Sequence, residues 1–101
     1  MGKGDIKKRI NACVAQLPQR EEIERVLLFG SQLHGDAGEK SDVDLLLELR
    51  RPINIGLFDL ARIRQSLEEA LEMEVDVTTP DALSKYIRDD VLQEAEVIYE
   101  K

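Results

Sequence analysis

Two apolar runs frame a polar segment, and that arrangement limits the possible folds more than any other feature of the chain. Val26-Leu27-Leu28-Phe29 leads into Gly30-Ser31; after ten further residues, Asp42-Val43-Asp44 leads into Leu45-Leu46-Leu47. Apolar runs this short, bounded by turn residues, read as strands. In the second strand, Asp42 to Leu49, alternation puts Asp42 and Asp44 on one face and Val43, Leu45, Leu47 and Leu49 on the other. The two aspartate Cα atoms then lie about 6.5 Å apart, two rises of ~3.3 Å. Their carboxylates project into solvent or a cleft, while the leucine face packs against helices.

The rest of the sequence supplies those helices. Ile6, Ile10, Cys13/Val14 and Leu17 recur at helical spacing, which predicts a helix from about Lys3 to Leu17, stopped by Pro18. Arg20 to Arg25 reads as a charged link, and Gln32 to Ser41, with Gly35 and Gly38, as a short helical turn plus loop. A second helix is expected over about Ile55 to Leu71 and a third strand over Glu74 to Thr78. Thr79-Pro80-Asp81 has the chemistry of a helix start. From there Leu83, Ile87, Val91, Ala95 and Ile98 predict a helical region to about Tyr99, restarted or kinked at Asp89-Asp90. The expected fold is a two-layer α/β (α+β) domain over residues 1–101, with a small mixed three-stranded sheet covered on one face by three or four helices.

Composition narrows the ligands. Charged residues are 35% of the chain and the net charge is −7. No basic stripe suited to a long polynucleotide is present, so extended nucleic acid is not expected as a ligand. A nucleotide accompanied by magnesium remains compatible, because the ion neutralises much of its charge. Cys13 is the sole cysteine, which excludes an internal disulfide and a thiolate metal cluster; it reads as a buried, inert thiol. No membrane span or signal-peptide region is expected, which makes the cytoplasm the default compartment.

Asp76 lies between Val75 and Val77 in the third strand, so it points away from two buried neighbours. If that strand lies beside the second in the right register, Asp42, Asp44 and Asp76 form a carboxylate triad. Three clustered acids repel one another, and a divalent cation resolves the repulsion. Gly30 permits close backbone approach to a phosphate, and Ser31 adds a hydroxyl donor at the start of a helical turn. A phosphate site beside a metal site suggests nucleotidyl transfer: in-line attack of an acceptor hydroxyl on the α-phosphorus of a nucleoside triphosphate, with two magnesium ions expected.

The stretch Phe29-Gly30-Ser31 through Asp42-Val43-Asp44-Leu45-Leu46-Leu47-Glu48 resembles the signature of the polymerase-beta-type nucleotidyltransferase superfamily. The short length and the downstream Val75 to Pro80, Glu94-Ala95 and Tyr99-Glu100 are similar to its minimal nucleotidyltransferase branch. The resemblance implies that Asp42, Asp44 and Asp76 bind magnesium and carry catalysis, while Gly30 and Ser31 hold the triphosphate. It also implies an antitoxin that transfers AMP from ATP to a tyrosine of a HEPN toxin, usually an RNase. An acidic chain suits a basic partner of that kind. Gln32 and His34 stand where many relatives have arginine, so bidentate guanidinium contacts to phosphate are missing there.

Three other readings remain open. One keeps the chemistry but gives it a small-molecule acceptor, although such enzymes usually add an acceptor-binding domain. Another is a non-catalytic antitoxin that silences its partner by occlusion, and the third is a structural oligomerisation domain. A homo- or hetero-oligomer is compatible with each.

Overall fold

A computed structural model describes residues 2–29 and 43–101. Helix α1 spans Lys3–Gln16, and Ile6, Ile10 and Val14, spaced four apart, are all buried on one side of it. Strand β1 spans Ile23–Phe29 and β2 Val43–Leu49; helix α2 spans Leu57–Leu71 and β3 Val75–Thr78. A 3-10 turn, Pro80–Ala82, precedes helix α3, Lys85–Glu94, and β4 closes the fold at Glu96–Glu100.

The sheet order is β3-β2-β1-β4. β1 runs antiparallel to both β2 and β4, and β3 runs parallel to β2, so the sheet is mixed. Helices α1 and α2 pack on one face. Their Ile6, Ile10, Val14, Ile63, Leu67 and Leu71 meet Val26, Leu28, Val43, Leu45, Leu47, Val75 and Ile98 from all four strands. Arg9 ties the two helices together, donating to the Ala70 carbonyl at 3.3 Å and to Glu72 at 3.4 Å. Glu72 ends α2 with a left-handed backbone, φ 56°.

The two-layer mixed fold agrees with expectation, and three details differ. The strand expected from Val26 begins at Ile23, which is fully buried and pairs with Leu49, so the second half of the charged link is strand and its first half, Arg20–Glu22, a 3-10 turn. The helix start at Thr79-Pro80 yields one 3-10 turn, and α3 begins afresh at Ser84, whose hydroxyl accepts from the Tyr86 N–H at 3.3 Å. The C-terminal helix stops at Glu94, and a fourth strand replaces its expected end. There Ile98 enters the core and its carbonyl accepts from Asn11 at 2.9 Å. The segment Gln32 to Ser41 lies outside the described residues. Among the described residues no helix is long and apolar enough to cross a membrane.

Candidate active site

The site follows from which face each strand residue takes. Val43, Leu45 and Leu47 of β2 and Val75 of β3 are buried in the core. Alternation therefore sends Asp44 and Asp76 to the opposite face of the sheet. Parallel pairing aligns Val43 with Val75 and Asp44 with Asp76, so the two carboxylates arise side by side from neighbouring strands. Strand spacing puts their Cα atoms about 4.8 Å apart. Asp76 is exposed and Asp44 half-buried.

Asp44 also pairs with Phe29, the last described residue before Gly30, so β1 ends beside the aspartates. Asp42, Gly30 and Ser31, three of the five expected site residues, lie outside the described residues, as do Gln32 and His34.

The same face bears a second feature that sequence reasoning missed. Arg25, taken as part of a link, pairs with Glu48 of β2 through two hydrogen bonds, one of them Nε to Oε2 at 2.8 Å. The hydrogen bond to Glu48 holds the guanidinium above its usual pKa. Between this ion pair and the aspartates, Leu27 and Leu46 are register partners at 3% and 0% exposure. A dry strip thus separates the aspartates from the nearest arginine of β1. No simple pattern announced Arg25: Ile23 and Val26, both in the core, are three residues apart, because a register shift between Ile23 and Arg25 breaks the two-residue alternation. Arg51 is also engaged, with Asp81 at 2.7 Å.

Two aligned carboxylates are hard oxygen donors, the donor type that magnesium prefers. Like charges directly opposite each other destabilise a sheet unless a counter-charge offsets them. The donor chemistry of Asp44 and Asp76 therefore fits a divalent cation. Among the described residues no group of three or more His, Cys, Asp or Glu is placed to hold a metal; the expected third ligand, Asp42, is outside them. Cys13 is half-buried against the core rather than fully buried, and burial, then Glu69, raises its thiol pKa.

Comparison with known proteins gives a consistent picture. Residues 11–101 match the family model described as polymerase beta, nucleotidyltransferase. A protein of Methanocaldococcus jannaschii, provisionally named a protein adenylyltransferase, is 33% identical over 94% of this chain and 96% of its own. The protein adenylyltransferase MntA of Thermococcus cleftensis is 30% identical over 94% and 92%. Among solved structures, one provisionally described as a minimal nucleotidyltransferase superposes with a TM-score of 0.78 at 35% identity, covering 95% of both chains. A Shewanella oneidensis complex of a tri-AMPylated HEPN toxin with an MNT antitoxin shares the fold. There the TM-score is 0.67 at 18% identity, over 100% of this chain and 74% of that one.

Proposed function

The chain belongs to the polymerase-beta nucleotidyltransferase family, and from that premise we propose that it is a protein adenylyltransferase that moves AMP from ATP to a tyrosine hydroxyl of a HEPN toxin. The observation that carries the reading is the register of Asp44 with Asp76 on the face of the sheet turned away from the core. The adenylyltransferase names of the archaeal relatives, and the MNT antitoxin in complex with an AMPylated HEPN toxin, support the choice of nucleotide and acceptor. On this reading the chain acts in the cytoplasm as an antitoxin, with residues 1–101 forming one domain.

Asp44 and Asp76, with Asp42, would hold magnesium, which when bound supplies charge neutralisation to the triphosphate. The residues of the chain do the rest. Gly30 and Ser31 would hold the phosphates, and a carboxylate of the aspartate group would take the proton of the acceptor hydroxyl. The tyrosine oxygen forms a bond to the α-phosphorus as the bond to pyrophosphate breaks. The leucines on the core side hold β2 and β3 in register, which fixes the distance between the carboxylates.

The test is incubation with α-labelled ATP, magnesium and a candidate HEPN toxin. Label on that protein with wild type but not with Asp44→Ala is the expected result. Equal labelling by both would overturn the proposal. Full neutralisation of the toxin by Asp44→Ala would instead mark occlusion as sufficient.

A further inference from the structure

Helix α3 is the element that the domain covers least. None of its ten residues is buried. Arg88, Val91 and Leu92 are half-buried, whereas Tyr86 is 81% exposed and Ile87 49%. A helix of that length is marginal in water by itself, so it depends on packing that the chain supplies only along one edge. An aromatic and an aliphatic residue side by side on the outer edge favour a covered state.

The charges around that pair are biased. The Lys85 ammonium lies 5.3 Å from the Tyr86 ring centre, and Arg88 turns inward to donate to the Leu83 carbonyl at 3.1 Å. Asp89 and Asp90, one turn beyond Tyr86 and Ile87, are exposed. The bias extends along the chain, since 20 of the 21 acidic residues but only nine of the 14 basic ones lie beyond residue 20. Beside the helix is a cavity of about 210 Å³ whose lining includes Leu92, Ile53, Leu47, Thr79 and Pro80. Ile53, 42% exposed, carries it to the surface.

The C-terminal end of the helix leads into the strand that lies two places from the aspartate strand. That end passes through Ala95 to Glu96, which pairs with Leu28; Leu28 in turn pairs with Leu45, the neighbour of Asp44. Two strand spacings put Glu96 roughly 10 Å from the aspartate strand. Tyr86 lies about 12 Å back along the helix from Glu94.

We propose that α3 and the cavity beside it dock the protein acceptor, which lays a basic helix against them. That helix sets an apolar residue on Tyr86 and Ile87 and lysine or arginine on Asp89 and Asp90. The proposal rests on the function proposed above. It names the surface that selects a protein substrate, at the opposite end of the helix from the aspartate strand, whose site by itself selects only nucleotide and metal.

Calorimetric titration of the chain with the HEPN toxin that serves as acceptor in the transfer assay tests it. Tyr86→Ser with Ile87→Asp is expected to weaken binding at least tenfold and to raise KM for the HEPN protein, with kcat at saturation and ATP binding unchanged. Asp89→Lys with Asp90→Lys is expected to weaken binding and flatten its dependence on salt. Phe58→Asp, at a separate residue that is 86% exposed, serves as the control and is expected to bind normally. Unchanged affinity in both α3 variants would overturn the proposal. So would a loss confined to Phe58→Asp, or sedimentation showing that the α3 variants break a homodimer instead. Binding through α3 without AMP transfer by the wild type removes the functional reading alone; AMP transfer with α3 variants at full affinity removes the docking surface alone.

Discussion

Asp44 and Asp76 are register partners across two parallel strands, aligned by the buried pair Val43 and Val75 one residue before them. Core packing therefore sets the carboxylate separation. This predicts a specific pattern for Asp76→Asn. Because Asp76 is exposed, the substitution should leave the fold intact and, without metal, hold or slightly raise the melting temperature by removing a like-charge pair. Magnesium should raise the melting temperature of the wild type but not of the variant. AMP transfer should fall by about 100-fold or more. Parallel melts in EDTA and in magnesium check the first two outcomes, and an equal magnesium response from both proteins would remove Asp76 from the metal site.

Arg25 and Glu48 form the other polar pair on that face, with side chains 36% and 25% exposed. A pair of that exposure is partly screened, so its coupling should be modest, about 1 kcal/mol in a double-mutant cycle of Arg25→Met and Glu48→Gln. Denaturant unfolding of the four proteins measures it. A coupling near zero would mean that the pair merely decorates the strand register.

The parts of this fold that were legible in the sequence are those in which one period dominates. Alternation around Val43, Leu45 and Leu47 assigned the aspartate face, and the four-residue spacing of Ile6, Ile10 and Val14 assigned the core stripe of α1. The alignment of Asp76 with Asp44 was legible only conditionally, because strand order and register are long-range properties. The C-terminal end was misread for a different reason. Ile98 continues the helical spacing of Ile87, Val91 and Ala95, while Val97, Ile98 and Tyr99 are also the residue types that fill strands. Pairing of that segment with Val26 and Leu27 decides between the two, and no local pattern reports it.

That choice makes the last strand a stability test. Ile98 is 3% exposed and its carbonyl is held by Asn11, so Ile98→Ala should cost about 2–5 kcal/mol. Val97, 37% exposed on the same strand, should tolerate threonine within about 0.5 kcal/mol. Guanidinium unfolding followed by circular dichroism distinguishes them. Equal and small effects at the two positions would mean that Ile98 does not fill the core.

Cys13 gives a pH-dependent outcome. Burial first, and Glu69 second, disfavour the thiolate in the folded protein and raise its pKa. A group whose folded pKa is raised contributes stability that is complete below its unfolded pKa and is lost as pH rises through the folded value. The unfolded thiol titrates near pH 8.5, so the loss should begin there and steepen above it. Cys13→Ala should remove that alkaline component while leaving stability at neutral pH only modestly lower, since the thiol is half-buried against the core. Burial of the thiol, with the same upward shift, should slow reaction with a disulfide reagent at pH 8 in the native protein relative to the urea-unfolded chain. Equal rates in the two states would mean that the α1 surface opens around Cys13 faster than the reagent reacts, and that its burial gives no protection.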